Sequence, residues 1–242
     1  MAQSRNKIDS FNLVPGRILA RKYEVEALLG SGWEGEVYLI RELATGIERT
    51  AKIFFPERNI RDKNVKFYAK KLHKLRHCPI VIQYSAQDHM IFKGSQVTLL
   101  ISEYVEGELL SQFIKNQPGK RLGPFQALHL LYALTSGMEC VHRIGEYHGD
   151  LHTDNVIVQR FGLGFELKLV DLFQGGPSKR ANIQADTVDM IHIFYEALGG
   201  QKHYSKQPQA VKDICCGLKS SLILKKFKSA SQLRTYIEAI QW

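Results

Sequence analysis

Residues 148 to 155 read His-Gly-Asp-Leu-His-Thr-Asp-Asn, which sets Asp150 and Asn155 five positions apart, and an isolated aspartate, Asp171, follows downstream. That spacing suits phosphoryl transfer. One carboxylate can orient an acceptor hydroxyl, while amide and carboxylate oxygens are the hard donors that magnesium accepts together with phosphate oxygens. Glu146-Tyr147 before this stretch and Val156-Ile157-Val158 after it predict a loop held between short strands, with Asp150 and Asn155 facing one cleft. Upstream, Gly30-Ser31-Gly32-Trp33-Glu34-Gly35 turns between two strand candidates. Glycines there let backbone N–H groups approach phosphate with no Cβ in the way, although such a turn taken alone fits a tight hairpin equally well.

These residues need elements to hold them. Residues 1 to 20 are polar and mixed up to Pro15-Gly16, and the ordered fold is expected to begin near Leu19. Tyr23 to Leu29 alternates with period two, the glycine turn leads into a second strand, and Arg49 to Phe55 reads as a third. Val65, Tyr68, Ala69, Leu72 and Leu75 recur at helical spacing over residues 63 to 76, ended by His77-Cys78-Pro79. Ile80 to Tyr84 and Val97 to Ile101 read as further strands. From Glu108 onward helical periodicity dominates, longest from Phe125 to Ile144, with 185 to 198 and 207 to 240 also helix-rich. The expectation is an α+β chain with an N-terminal extension at 1–20, a small antiparallel β lobe at 21–102, a join at 103–107 and a larger helical lobe at 108–242.

Composition narrows the class further. The 242 residues, 44% of them hydrophobic, suffice for a substantial core, which excludes a wholly disordered chain. No run of about 18 uncharged apolar residues occurs, and the first residues lack the apolar stretch of a signal peptide, so no membrane partner and a cytoplasmic location are expected. Cys78, Cys140, Cys215 and Cys216 show no C-x-x-C pairing and read as reduced core thiols rather than disulfides or a zinc site. The net charge of +9 favours acidic partners, nucleotides and nucleic acid among them, without selecting one. Lys66, Lys70, Lys71, Lys74 and Arg76, and again Lys225, Lys226 and Lys228, lack interleaved aromatics and read as solvated helix faces.

In this order the motifs resemble the protein kinase family over about nine tenths of the chain, from Tyr23 to the C-terminal helix. Gly30, Gly32 and Gly35 are followed by Val37, then Lys52 on the third strand, then the Asp150 loop, then Asp171. The resemblance implies a two-lobed protein-kinase-like fold that binds ATP and Mg2+. On it, Lys52 meets the α and β phosphates, the glycines cradle them, Val37 covers the adenine, and backbone groups of Glu103 and Val105 in the hinge bond it. Ser102 would guard the back of that pocket. Asp150 takes the role of catalytic base, Asn155 and Asp171 those of magnesium ligands, and His152 stands where protein kinases carry a lysine that contacts the transferred phosphate. His148 is expected to pack and hydrogen-bond rather than to act as an acid.

Three departures accompany the resemblance. Counting back from His77 puts Tyr68 where a helix glutamate should pair with Lys52, and no acid occurs between Asp62 and Asp88. Glu57 or Asp62 could supply the carboxylate, or Lys52 could be held by Asp171 and phosphate alone. Gly149 replaces the arginine before the catalytic aspartate, removing the usual handle for a phosphorylated activation loop. Asp186, matching an anchoring aspartate of the large lobe, follows Asp171 by only fifteen positions (186 minus 171), without Ala-Pro-Glu, and Asp171-Leu172-Phe173 replaces Asp-Phe-Gly. The resulting expectation is an atypical serine/threonine kinase acting on an unidentified protein hydroxyl. Three alternatives remain open: a small-molecule kinase, because His-Gly-Asp-Leu-His is closer to aminoglycoside and choline kinases; a nucleotide-binding pseudokinase, because of Tyr68; and a nucleic-acid-binding role resting on charge alone.

Overall fold

The computed structural model describes residues 7–173 and 178–240, which form two compact units: residues 7–76 with 82–104, and residues 77–81 with 105–173 and 178–240. The architecture is α+β, with one sheet-based unit and one mainly helical unit.

The first unit is built on a six-stranded antiparallel sheet in the order β1-β2-β3-β4-β6-β5, from β1 (Ile18–Leu19), β2 (Tyr23–Ser31), β3 (Gly35–Glu42), β4 (Glu48–Phe54), β5 (Tyr84–Phe92) and β6 (Ser95–Glu103). Strand periodicity directs Val25, Tyr38, Ile40, Ala51, Ile53, Leu99 and Ile101 into one buried cluster. The β5–β6 hairpin turns through Lys93 and Gly94, both at positive φ (47° and 76°), as a two-residue turn between right-twisted strands requires. Helix α1 (Lys63–Lys74) buries Val65, Tyr68 and Leu72 at three- and four-residue spacing.

Three expectations change in this unit. Packed structure starts well before Leu19: Ile8, Phe11 and Leu13 belong to the sheet core, and Phe11 stacks on Phe55 at 5.3 Å and meets Phe92 edge-on at 5.1 Å. Its polar anchor is Glu36, only 3% exposed, which accepts hydrogen bonds from the Ser10 hydroxyl (2.9 Å), Phe11 N (3.1 Å) and the Tyr38 hydroxyl. Three apolar residues spread among polar ones carry no period, so the sequence hid them. Residues 80–83 are not a strand of this sheet, and Tyr84 begins one rather than ending one. The strand is β5, whose Gln87-Asp88-His89 interrupts apolar alternation, while Val81, which belongs to the second unit, forms an isolated parallel bridge to Leu169 of that same unit. Lys71, expected on a solvated face, is buried at 5% exposure, because its position three residues after Tyr68 lies on the inward stripe.

The second unit carries β7 (Glu108–Leu109), α2 (Leu110–Asn116), α3 (Pro124–Arg143), β8 (Val156–Phe161), β9 (Gly164–Leu169), α4 (Lys179–Ala197), α5 (Gln201–Tyr204), α6 (Gln209–Cys215), α7 (Ser220–Lys226) and α8 (Ala230–Glu238). Its small sheet is ordered β7-β8-β9. The long helix α3 buries Leu128, Leu131, Leu134, Met138 and Val141. Residues 77–81 lie against it: a Cβ on Gly137 would fall 2.2 Å from Ile80, and Ile80 O accepts the Leu169 N–H at 2.7 Å. Cys78 and Cys140 form a disulfide there, with Cα atoms 5.7 Å apart. That corrects the expectation of reduced thiols; partners 62 positions apart are paired by tertiary packing, which a spacing rule does not see. Cys215 and Cys216 are free, and burial pushes the Cys215 thiol up to about 12. Helix α4 starts earlier than residue 185, at Lys179, because the Ser178 hydroxyl caps it by accepting the Ala181 N–H at 3.2 Å. Among the described residues no helix is long and apolar enough to cross a membrane.

Candidate active site

The site residues fall in both units, and each group has its own internal logic. In the sheet unit, the glycine turn closes with the Gly32 N–H donating to Gly35 O at 2.9 Å, and Gly30 pairs with Val37 across β2 and β3. The three glycines differ in their reasons. Gly30 and Gly32 have nothing within 4 Å of an added Cβ, as a surface kept open to a ligand would, whereas at Gly35 a Cβ would lie 2.0 Å from Ile53 O. Gly35 therefore serves the close packing of β3 on β4. Val37 and Lys52 are register partners and share one face of the sheet, so an apolar surface and a cation lie side by side.

Lys52 Nζ lies 3.0 Å from Glu34 Oε2, 4.5 Å from the Tyr68 ring centre and 5.6 Å from that of Phe54. The two acids that sequence reasoning offered to Lys52 are engaged elsewhere. Glu57 accepts the Ile8 N–H at 2.9 Å, and Asp62 accepts the Thr98 hydroxyl at 2.6 Å and Asn59 Nδ2 at 3.1 Å. Glu34 was missed because it sits inside the glycine motif, where attention falls on the glycines. At the end of β6, Ser102 is buried with its hydroxyl 2.7 Å from that of Thr50. Glu103 O accepts the Thr50 hydroxyl at 3.0 Å, and Glu103 N donates to Gln83 O at 3.0 Å. Val105, half-buried, opens the second unit.

In the helical unit, the loop before β8 brings Asp150, His152 and Asn155 together. Asn155 Nδ2 donates to Asp150 O at 2.8 Å and lies 3.4 Å from Asp150 Oδ2, so the amide oxygen is left facing away from that bond. His152 Nε2 is 2.9 Å from Asn155 Nδ2 and 3.7 Å from Asp150 Oδ2, on an Asp150 side chain that is 60% exposed. Behind them the loop is rigidly held. Asp186, fully buried in α4, accepts the backbone N–H groups of His148 (2.8 Å) and Gly149 (2.9 Å) and faces His142 Nε2 at 3.1 Å. Gly149 sits at φ +89°, a conformation that side chains rarely adopt. His148 is buried, its Nε2 2.9 Å from Val170 O, in the packing role expected of it.

Asp171 is set beside this loop by two backbone bonds that bracket it, Val170 N to Asn155 O at 3.1 Å and Phe173 N to His148 O at 2.9 Å. It takes φ +54°, an uncommon conformation for a residue with a side chain, and Leu172 beside it is buried at 1% exposure. One turn into α4 from Asp186, burial and the charges of Asp186 and Asp150 push the Asp189 carboxyl up to about 7. No cluster of three or more His, Cys, Asp or Glu suited to a metal occurs among the described residues. The oxygen donors of Asn155 and Asp171 suit magnesium, which borrows its other ligands from phosphate and water.

Known proteins resemble this chain in sequence and in fold. The model of the protein kinase domain matches residues 23–208. The serine/threonine-protein kinase pkn2 of Myxococcus xanthus is 29% identical over 161 residues, 64% of this chain but only 18% of that protein's length. The probable serine/threonine-protein kinase YbdM of Bacillus subtilis is 25% identical over 222 residues, 87% of this chain and 83% of the relative. The kinase domain of Mycobacterium tuberculosis PknI shares the fold, with a TM-score of 0.64 at 19% identity over 94% of this chain and 98% of that one. A family match across most of the chain, a two-lobed α+β fold and the ordered loop around Asp150 together place this chain in the protein kinase domain family.

Proposed function

We propose that the chain is a protein serine/threonine kinase that uses ATP with Mg2+ and transfers the γ-phosphate to a protein hydroxyl. The observation that carries this reading is the loop in which Asn155 clasps the Asp150 backbone at 2.8 Å, with Asp171 bracketed against it by two backbone bonds. A chain that only bound partners would have no chemical use for three hard-oxygen side chains held in this way.

In this mechanism Asp150 accepts a hydrogen bond from the acceptor hydroxyl and aims it for in-line attack, and its exposure leaves room for that hydroxyl. His152, beside it, offers a hydrogen bond to the transferred phosphoryl group where a lysine is usual. Lys52 and the backbone N–H groups of the glycine turn hold the phosphates, Val37 covers the base, and Glu103 and Val105 bond its edge. Asn155 and Asp171 would hold magnesium, which supplies charge neutralisation of the β and γ phosphates. A second reading, phosphorylation of a small molecule, is favoured by α4 starting at Lys179, which leaves little chain after Asp171 for docking a peptide in the conventional way.

The test is incubation with γ-labelled ATP and magnesium in the presence of generic protein acceptors, with Asp150→Ala in parallel. Label on protein that disappears in the variant supports the proposal. Nucleotide binding without labelled protein would overturn it in favour of a small-molecule enzyme or a pseudokinase.

A further inference from the structure

Helix α1 presents no carboxylate: its twelve residues, Lys63–Lys74, contain neither Asp nor Glu. An acid at Lys52 comes from the glycine turn. Glu34 Oε2 is 3.0 Å from Lys52 Nζ and also accepts the Tyr68 hydroxyl at 2.8 Å, and Glu34 Oε1 accepts Asn64 Nδ2 at 3.2 Å. Its backbone is fixed as well, since Glu34 O accepts the Phe55 N–H at 2.9 Å, one residue past the end of the lysine strand. The preceding residue in the turn, Trp33, has its ring stacked under Arg58 at 4.1 Å. Glu34 thus has three side-chain donors around its two oxygens and is three-quarters buried, so the charge of Lys52 is met by an anion held through both of its oxygens.

We infer that Glu34 is the positioning residue of Lys52, a carboxylate carried by the glycine turn in place of one carried by the helix, with Tyr68 and Asn64 of α1 acting as its neutral donors. The inference rests on Lys52 being the phosphate-binding lysine of the proposed reaction. Its physical consequence is a change in what the lysine senses. A carboxylate on a helix makes the lysine's orientation depend on where the helix lies. A carboxylate on the glycine turn ties it to the conformation of the segment that covers the phosphates, so that closing the turn and aiming the lysine become one event.

Relocating the carboxylate separates this role from a merely structural one. The Tyr68 ring centre lies 4.5 Å from Lys52 Nζ, and a glutamate side chain at position 68 reaches about as far as that centre, so Tyr68→Glu can supply the missing charge from the helix. Wild type, Glu34→Ala, Glu34→Ala/Tyr68→Glu and Asp150→Ala are compared in steady-state phosphotransfer against ATP concentration, and in Mg-ATP affinity by calorimetry. Glu34→Ala should lower kcat/KM for ATP by on the order of 10- to 100-fold, the scale on which a misplaced catalytic group acts, and the double variant should recover at least half of that loss on a logarithmic scale. Activity of Glu34→Ala within twofold of wild type, or a loss in folded protein that Tyr68→Glu does not recover, would overturn the inference. If Glu34→Ala does not fold by circular dichroism, Glu34→Gln carries the same comparison, because it keeps the side chain and removes the charge. Where wild type binds Mg-ATP but labels no acceptor, the kinase proposal fails while the same variants, read in dissociation constants, still decide the role of Glu34.

Discussion

At Gly35 an added Cβ would meet Ile53 O at 2.0 Å, whereas Gly30 and Gly32 face open space. Gly35→Ala should therefore destabilise the sheet unit by about 1–3 kcal/mol, the usual cost of overpacking, visible in denaturant unfolding. Gly30→Ala should leave stability near wild type and instead weaken nucleotide binding. Asp171→Ala should abolish magnesium-dependent turnover, with exposed Lys66→Ala as the matched control in the same assay. Lys71 would be a poor control, since it is buried. Asp189 gives a pH signature. Its folded carboxyl is pushed up to about 7 from 3.8, so the folded state holds that proton more tightly than the unfolded chain does. The corresponding stability is present at acid pH and is lost as pH rises through this window. Asp189→Asn should flatten the fall in stability between about pH 4 and pH 7 in urea titrations; an unchanged slope would contradict the burial-driven shift. The residues around Asp150 were legible because their chemistry is local in sequence. Glu34 was not, because its partners Lys52, Asn64 and Tyr68 meet it only once β3, β4 and α1 are assembled.

Elements with one clear period were readable and those without were not. Helix α3 was predicted within one residue at each end because its apolar stripe runs for five turns under a proline start. Strand β5 was displaced, since the apolar run Ile80-Val81-Ile82 looked more strand-like than the polar stretch that in fact pairs with β6. The segment carrying Ile8, Phe11 and Leu13 was taken for an extension because nothing local marks it; its reason lies in the sheet face that it completes. Phe11, 3% exposed between Phe55 and Phe92, should cost about 3–5 kcal/mol when changed to alanine, and a loss below 1 kcal/mol in chemical denaturation would show that the segment is dispensable. Because Glu36 ties this segment to the strand that follows the glycine turn, the same variant should also weaken nucleotide binding.

On the scale of the whole chain, the order of motifs from the glycine turn through Lys52 and Asp150 to Asp171 was enough to read the family, because order survives where identity falls to 25–29%. Connectivity between the units was not legible in that order. Residues 77–81 interrupt the sheet unit and belong to the helical one, where Cys78 is bonded to Cys140. The chain therefore cannot be divided into its two units by one cut. A protease nick between Tyr104 and Val105 yields fragments that each carry part of the helical unit, and the disulfide stitches them into a single covalent molecule. On a denaturing gel the nicked protein should run as one species until a reductant is added and as two afterwards, like a two-chain protein made from one gene product.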